Sequence, residues 1–348
     1  MTDLKLHIAG YKYSGWTSIR VTKSMDQLAH SFDLSLTDRW VVEEADLPLE
    51  VGQRCRISHD NVGILTGWID SVITDYTSDG MRITVSGRSL SGDLVDCAAT
   101  HSGGQWRGSG LLKIAQDLCS PFGLSAYTNT DLGGAFRIFE LQDGETVFQA
   151  LERAARRRGV LLQTRPDGNI VFERVGSTKV KTKLVYGRNI LEGSKRTSWQ
   201  DRFSTYTVKA QAQGTDTFFG SSAAALKMVS TDSGVTRYRP TIISADDEDS
   251  GEELQKRANW ERNVRAGRAA KLDYLVQGWS HTGGLWQPNK LVCIEDRVLR
   301  VDDEVLISEV TFERNENSGT VTRLSLVRKE GYDIQPLPPP KQKTGALE

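Results

Sequence analysis

The sequence predicts a β-rich α+β fold in which two similar β-barrel-like domains flank an α+β module. Short runs of alternating apolar and polar residues fill both ends of the chain, and helical spacing is concentrated in the middle and in one later insertion. A period of two is typical of strands with one buried face, whereas a period near 3.6 is typical of helices. The length of 348 residues accommodates roughly two to three domains.

The N-terminal β-barrel-like domain is predicted over residues 1–88. Leu4, Leu6 and Ile8 alternate with polar neighbours, and similar runs recur as far as Val85. Short turns that contain glycine, aspartate and asparagine separate these runs. Several short strands at this spacing favour a closed or nearly closed barrel, because closure removes exposed sheet edges.

The middle module is predicted over residues 89–176, with two helices and a hairpin. The apolar positions of the two helices are Leu111, Ala115, Leu118, Val147, Leu151 and Ala154. Asp143 is expected to cap the second helix, and Gly159 is expected to end it. A hairpin then follows at 160–173, around a turn that contains proline, aspartate and glycine.

Strand patterning returns after the module and is interrupted once. The second β-barrel-like domain is predicted from two stretches, 177–212 and 271–333. Between them lies an inserted α/β segment, 213–270, whose helix is predicted over about 251–270. The last residues, 334–348, are rich in proline and are predicted to be an extended, poorly packed tail.

Two internal similarities relate distant parts of the chain. Residues 64–85 and 305–327 both show the pattern strand, glycine-containing turn, strand at almost the same spacing. The stretches 101–106 and 281–286 also resemble each other, as HSGGQW and HTGGLW. The hairpin similarity predicts two β domains built alike. We expect them to form two separate sheets. If the strands at 300–330 and those at 60–90 belonged to one sheet, we expect that no hollow collar could be built from the two domains.

The net charge of the chain, its apolar stretches and its first residues argue against a strongly basic nucleic-acid-binding protein, a membrane-spanning protein and a secreted protein. A net charge of −1 makes a strongly basic nucleic-acid-binding protein improbable. No stretch approaches the ~18 consecutive apolar residues of a membrane-spanning helix, and the first eight residues do not have the pattern of a signal peptide. We therefore expect no membrane insertion.

Motifs of known enzymes and metal sites are missing from the sequence. It contains no GxSxG, P-loop, GxGxxG, HExxH or EF-hand pattern. The five histidines are scattered, and the four cysteines (Cys55, Cys97, Cys119 and Cys293) match no zinc spacing. We predict no catalytic residue, no cofactor and no metal. The cysteines are interpreted as small buried apolar residues of a protein that folds in a reducing cytosol, with a disulfide or metal site as the alternative.

Three further stretches each allow two interpretations. The glycine-rich stretch 101–106 is a tryptophan-anchored turn or a phosphate cradle. The acidic run 246–249 is a solvated loop or a calcium site. The stretch 143–151 is a plain helix start or the beginning of a peptidoglycan-binding repeat of the LysM type.

Two groups of arginines are the candidate channel or interface contacts. They are Arg156, Arg157, Arg158, Arg257, Arg265 and Arg268. The first three lie at the C-terminal end of a predicted helix, where a positive charge interacts favourably with the negative end of the helix dipole. The last three lie near one face of the inserted helix, where Glu253/Arg257 and Glu261/Arg265 also have i,i+4 ion-pair spacing. Contact with a phosphate backbone and a salt-bridged solvated helix are both compatible with this pattern.

Eight segments in order carry a resemblance to a known family. They are residues 63–72, 83–89, 93–98, 102–106, 114–123, 145–151, 202–209 and 235–240. Together they resemble the baseplate hub proteins of Mu-like contractile phages, also called 43 kDa tail proteins, and the similarity extends over about 4–333.

This resemblance implies a structural protein that forms a homotrimer at the centre of the baseplate. Two similar domains per subunit would give the ring near six-fold character, so that it joins the six-fold tail tube to the three-fold spike. DNA would pass through its channel in transit, without sequence-specific binding. The protein would be made and assembled in the bacterial cytoplasm and would become part of the virion. Two alternatives stay open: the hub of a related contractile injection or secretion machine, and a peptidoglycan-binding tail protein.

Overall fold

The computed structural model describes residues 4–8, 11–37, 49–78, 80–176, 178–210, 226–244 and 251–332. The chain divides into two units. Unit 1 comprises Met1–Ser194 and Asp273–Leu326, and unit 2 comprises Lys195–Leu272 and Val327–Glu348. Strands predominate and helices are few, so the predicted β-rich α+β class is confirmed. The acidic run 246–249 and the proline-rich tail 334–348 lie outside the described residues.

The N-terminal part of unit 1 is built from antiparallel strands. They are β1 (Leu4–Ile8), β2 (Tyr11–Tyr13), β3 (Ser18–Ser24), β4 (Ser31–Thr37), β5 (Arg54–His59), β6 (Val62–Thr77) and β7 (Gly80–Ser89). Their order in the sheet is β3-β4-β7-β6-β5-β1-β2. In β1 the side chains of Leu4, Leu6 and Ile8 are buried, and the residues between them are partly exposed. The alternation in the sequence therefore predicts this face correctly.

The middle module follows within unit 1. Its elements are α1 (Gly92–Asp96), β8 (Gln105–Ser109), α2 (Leu111–Cys119), β9 (Ala126–Thr128), β10 (Phe136–Glu140), α3 (Val147–Arg156), β11 (Leu161–Thr164) and β12 (Ile170–Glu173). β8 pairs with β10, and β12 lies between β11 and β9. Both longer helices bury the apolar residues that helical spacing selects, among them Leu118 and Leu151. Trp106 and Phe139 belong to the same core.

The expected cap of α3 is wrong, because Thr146 and not Asp143 occupies the N-cap. The Thr146 hydroxyl accepts a hydrogen bond from the Gln149 amide at 3.2 Å. The Gln149 side chain accepts one from the Thr146 amide at 2.9 Å, which completes a capping box. Glu145, just before the cap, is 8% exposed and pairs with Arg153 at 2.7 Å. The buried pair holds this stretch in place, so that the helix starts after it.

The remaining elements complete the chain. They are β13 (Thr178–Lys179), β14 (Leu184–Val185), β15 (Ile190–Thr197), β16 (Thr205–Ala210), β17 (Leu226–Thr231), β18 (Pro240–Ser244), α4 (Gly251–Arg268), β19 (Ala270–Gln277), β20 (Ser280–His281), β21 (Gly284–Leu285), β22 (Lys290–Asp296), β23 (Val301–Asn315) and β24 (Gly319–Val327). Two short 3-10 turns are Ser120–Phe122 and Lys329–Tyr332.

Unit 2 contains its own small sheet and the longest helix. β16 lies between β17 and β18, although sequence patterning places its residues in the 177–212 stretch of the second β domain. Helix α4 packs on this sheet, and Val208, Leu254 and Ala258 form the buried contact. The helix agrees with the predicted span to within two residues at its end. Of the helices in the described ranges, none is sufficiently long and apolar to traverse a bilayer.

In unit 1, the hairpins β6–β7 and β23–β24 belong to one hydrogen-bonded sheet, so the expectation of two separate sheets is wrong. The connection is an antiparallel pair between β3 and β23, with Ser24 opposite Glu309 and Ile19 opposite Arg314. β23 is long enough to pair with β22 along its first part and with β3 along its second part. One strand thus serves two successive partners, and the hydrogen bonding continues from one half of the sheet to the other.

Each half of this sheet nevertheless has the same internal order. One half reads β3-β4-β7-β6-β5, and the other reads β15-β19-β24-β23-β22. The hairpins β6–β7 and β23–β24 occupy equivalent places in this order. The predicted likeness of the two β halves is therefore confirmed at the level of strand order, and closure into a barrel stays a prediction. Because the halves repeat one another within the shared sheet, that sheet does not by itself exclude a ring of similar units, contrary to the expectation.

A buried polar network joins the N-terminal strands to the middle module within unit 1. The Thr164 hydroxyl donates to the Leu28 carbonyl at 2.7 Å and lies 2.8 Å from the Ser91 hydroxyl oxygen. His30 Nε2 lies 3.3 Å from the Thr164 carbonyl. Burial, and to a smaller extent the charge of the nearby Lys23, lower the pKa of His30 to about 3. The imidazole is therefore neutral and donates its Nε2 proton to that carbonyl.

We expect His30 to make the stability of the protein decrease on acidification. Its pKa in the folded chain lies far below the ordinary value of 6.5. The stabilisation is therefore fully present above pH 6.5 and is lost as the pH falls towards 3. Between pH 6.5 and 4.5 the free energy of unfolding of the wild type should fall by about 2 kcal/mol more than that of His30→Asn. Urea unfolding across this range measures the difference, and parallel curves would contradict the burial of a neutral histidine.

Candidate assembly surfaces

The described residues lack a side-chain cluster that could bind a metal ion. Within them, no group of three or more His, Cys, Asp or Glu side chains is arranged to hold a metal ion. Cys55 and Cys119 are free and buried, and burial raises the pKa of each thiol to about 12. These two thiols stay protonated and behave as small buried apolar side chains, as the sequence predicts. The same prediction is wrong for Cys97, which is exposed, and for Cys293, which is only partly buried.

The two glycine-rich stretches that resemble each other form similar local structures. The His101 ring lies 4.1 Å from the Trp106 ring, and the His281 ring lies 4.7 Å from the Trp286 ring, measured between centroids. In the first stretch, the amide at position 104 donates to the His101 carbonyl at 3.0 Å. The first stretch is therefore a turn anchored by a tryptophan, one of its two predicted interpretations.

The arginines at the end of α3 differ in how they are held. Arg156 pairs with Glu152 at 2.7 Å on an exposed surface. Arg158 lies over the Phe136 ring at 4.1 Å and donates to a backbone carbonyl. Arg157 is partly buried and has no acidic ion-pair partner among the residues that the structure describes. Burial lowers the pKa of Arg157, and the charges of Arg153 and Arg158 lower it further. Arg157 is thus a partly desolvated cation without a counter-charge in this region.

The arginines of α4 are held mainly by contacts within unit 2. Glu261 binds Arg257 and Arg265 at 3.2 Å each, and its side chain is 11% exposed. Arg268 donates to the Gly331 carbonyl at 2.7 Å and lies near the Tyr332 ring. The predicted Glu261/Arg265 pair is confirmed, whereas the side chain of Glu253 lies outside the described atoms. Much of the hydrogen-bonding capacity of these three guanidinium groups is used inside the unit.

One cationic surface was missed by sequence reasoning. On the outward face of β1, β2 and β5, His7 lies opposite Lys12 and opposite Arg56. Lys5 and Arg54 belong to the same face, and none of these four lysines and arginines has an acidic partner in the described ranges. Burial, Lys12, Arg56 and Lys5 lower the pKa of His7. The basic residues of this surface occupy polar positions of the alternating strands. The sequence alone does not show that they share a face, because β1, β2 and β5 must first be known to be neighbours. The surface is suited to an anionic partner.

Two separate strand edges are exposed that sequence reasoning did not identify. β6 pairs with β5 only as far as Trp68 and then continues beside β7 alone. Its continuation exposes half of Ile73 and most of Tyr76. At the other end of the sheet, β15 has β19 as its one neighbour among the described strands, and Leu191 is 51% exposed. Exposed edges of this kind invite pairing with another strand.

Four family models match successive parts of the chain. They describe a Mu phage baseplate assembly protein GpP-like N-terminal domain at 3–89 and a baseplate hub protein gp44-like second domain at 91–174. A tail protein NMB1110-like third domain matches 202–260, and a GpP fourth domain matches 250–335.

Similarity to individual proteins extends over almost the whole chain. The baseplate hub protein gp44 of Escherichia phage Mu is 39% identical over 337 residues, which cover 94% of this chain and 88% of that protein. The crystal structure of the 43 kDa tail protein of prophage MuSo2 from Shewanella oneidensis has a TM-score of 0.86 at 33% identity, with 96% of this chain and all of that chain covered. The tail protein from Neisseria meningitidis MC58 has a TM-score of 0.78 at 24% identity, over 95% and 99% of the two chains, and supports the fold.

We expect the loss of the Glu261 carboxylate to destabilise unit 2. Glu261→Gln leaves two partly buried guanidinium groups without their counter-charge, which should lower the free energy of unfolding by about 2 kcal/mol. The matched control is Glu152→Gln, because its pair with Arg156 is solvent-exposed and should cost at most about 0.5 kcal/mol. Urea unfolding of both variants makes the comparison, and equal losses would show that Glu261 does not organise the α4 arginines.

Proposed function

Because this chain belongs to the family of phage baseplate hub proteins that includes gp44 of phage Mu, we propose that three copies form a closed ring between tail tube and spike. The chain is a structural component of a phage tail and not an enzyme. In the proposed ring, the six-fold tail tube sits on one face and the three-fold spike on the other. The channel at the centre lets DNA pass during injection.

The observation that carries this proposal is the repeated strand order within one subunit. Each chain contributes the two series β3-β4-β7-β6-β5 and β15-β19-β24-β23-β22. Three chains therefore supply six similar β units, a number that matches a six-fold tube while the chain itself obeys three-fold symmetry. An assembly with these properties adapts one symmetry to the other without a second kind of subunit.

The low net charge of the chain is compatible with DNA that passes through the ring without binding tightly to it. A net charge of −1 provides no overall attraction for a polyanion, so DNA can slide through such a ring. We assign no sequence-specific DNA binding, no cofactor and no membrane insertion to the protein. We assign the protein to the tail of the virion, and its synthesis and assembly to the bacterial cytoplasm.

The candidate contacts Arg156, Arg157, Arg158, Arg257, Arg265 and Arg268 remain part of the proposal, with Arg157 foremost. Its charge is partly desolvated and has no acidic partner in the described part of the chain. Holding an unpaired cation away from water costs stability in the free subunit. An anionic group on another tail protein, or on DNA in the channel, would offset that cost.

We expect the purified protein to sediment as a trimer. Sedimentation velocity at micromolar concentrations should show a species of three times the 38.6 kDa chain mass, because a closed ring of cyclic symmetry satisfies all its interfaces. Only monomer across this range would contradict the proposed ring.

We expect Arg157→Gln to separate assembly from folding. The variant should keep or slightly raise the free energy of unfolding of the subunit, since it removes a desolvated charge. Particles built with it should deliver DNA less efficiently than the wild type, as measured by infectious titre. Lys113→Gln is the matched control, because Asp117 already neutralises that exposed lysine, which is not among the candidate contacts. Equal titres for both variants and the wild type would remove Arg157 from the set of contacts.

A further inference from the structure

A cleft beside the cationic face of β1 and β5 contains two arginines without a counter-charge, and we propose that it binds a compact phosphate ester. The ligand class is a phosphate group that carries a small hydroxyl-bearing remainder, as glycerol phosphate does. Such a group occurs in soluble metabolites and in lipid headgroups. The site does not depend on the proposed ring or on its channel, so this inference goes beyond the proposed function.

The cleft lies within unit 1, between the outward face of the N-terminal strands and the turn that joins β11 to β12. Its volume is about 740 Å³. The strands contribute His7, Arg54 and Arg56 to its lining, and the turn contributes Pro166 and Asp167. A concave site of this size is typical of small ligands.

The turn is held firmly against the strands. The Thr66 hydroxyl donates to the Pro166 carbonyl at 2.9 Å, and Thr66 lies opposite Arg56 in the β5–β6 pair. Within the turn, the Arg165 amide donates to the Asn169 carbonyl at 2.8 Å. The turn is therefore a fixed wall beside the arginines, and the cleft is formed before any ligand enters it.

The two arginines point to the same face and have no partner in the described part of the chain. Arg54 and Arg56 are exposed on β5, and Cys55 between them is buried. Alternate residues of a strand lie about 6.8 Å apart, so both side chains can reach one ligand. Neither guanidinium group has a hydrogen bond or an ion pair with a described residue. Each presents five N–H donors in a planar fork that matches the oxygens of a phosphate.

A glycine on the neighbouring strand makes room for one of these forks. A Cβ added at Gly63 of β6 would lie 3.3 Å from Nη2 of Arg56. The Arg56 guanidinium therefore lies close over the backbone of β6, where a larger side chain would crowd it. This contact places the fork at the cleft.

The surroundings of the arginines are positive as well. His7 lies opposite Lys12 on one side and opposite Arg56 on the other. Burial and the positive charges of Lys12, Arg56 and Lys5 lower the pKa of His7. His7 Nε2 also lies 2.8 Å from the Ser58 hydroxyl oxygen. The excess positive charge at this place attracts an anion into the cleft.

The turn determines the size and the chemistry of the ligand. The Asp167 carboxylate lies 3.5 Å from the Arg165 guanidinium and accepts from the Asn169 amide at 3.1 Å. Duplex DNA carries a charge about every 1.7 Å along its axis, so its further phosphates would meet this carboxylate. A single phosphate avoids that repulsion. A carboxylate only accepts hydrogen bonds, so hydroxyl groups on the ligand suit this wall.

Binding of glycerol phosphate to the full chain at low ionic strength tests the site. Broadening of the phosphorus NMR signal measures binding of soluble glycerol phosphate, with inorganic phosphate as a second soluble probe. Co-sedimentation measures binding to phosphatidylglycerol vesicles, which present the same group on a lipid, with phosphatidylcholine vesicles as the neutral reference. Arg54→Gln/Arg56→Gln should weaken binding of glycerol phosphate about tenfold or more, because it removes the charge-assisted hydrogen bonds.

The matched control is Arg107→Gln/Arg137→Gln. It removes two arginines of β8 and β10 that are exposed, lie outside the cleft lining and have no ion-pair partner among the described residues. The change in net charge is the same, and binding should stay within about twofold of the wild type, because salt screens distant exposed charges. Circular dichroism confirms that both double variants are folded, as expected for changes at exposed positions.

The outcomes separate this site from a diffuse positive surface. Binding that only the cleft variant loses supports the proposal, and a preference for the soluble ester or for the vesicles identifies the source of the phosphate. Equal weakening in both double variants, binding that survives the loss of Arg54 and Arg56, or no binding to the wild type would overturn it. So would a short DNA duplex that binds through these arginines when no glycerol phosphate probe does. None of these results bears on the trimer, which sedimentation tests separately.

Discussion

The fold depends on one strand pairing, that of β3 with β23. This antiparallel pair joins residues 19–24 to residues 309–314 and makes one sheet out of two series of strands. The Thr22 and Thr311 hydroxyl oxygens meet across it at 3.2 Å. Without this pair the N-terminal strands and the hairpin β23–β24 would each end in an open edge, and the repeated halves would have no fixed geometry relative to each other.

Local patterns predict the elements of this protein well and their connections poorly. The alternation of Leu4, Leu6 and Ile8 identifies β1, and helical spacing identifies α2 and α3, because these signals lie within a few residues of each other. The N-cap of α3 could not be chosen from the sequence, because Asp143 and Thr146 are both good caps. The buried pair of Glu145 with Arg153, eight residues apart, decides between them.

The candidate site shows the same division between local and distant information. The i,i+4 spacing predicts the Glu261/Arg265 pair correctly, and it does not show that Arg257 shares the same carboxylate. The cationic face with Lys5, Lys12 and Arg56 needs three strands to be neighbours before it exists at all. A pairing between strands almost three hundred residues apart, such as β3 with β23, leaves no trace in any window of sequence. The similarity of the two hairpins predicted two separate sheets, and so did not reveal this pairing either.

The distance along the chain between β3 and β23 also has a consequence for biosynthesis. During translation β3 leaves the ribosome early, but it cannot pair with β23 until that strand has also been synthesised. At about 5–20 residues per second, that delay is on the order of 15–60 s. Throughout it, the nascent chain presents an incomplete sheet to its surroundings, while the middle module can already collapse on contacts that are short in sequence. Lys23, at 5% exposure in the finished fold, places a charged amine on the waiting strand during translation. A hydrated cation at this place discourages premature annealing with other nascent chains in the polysome.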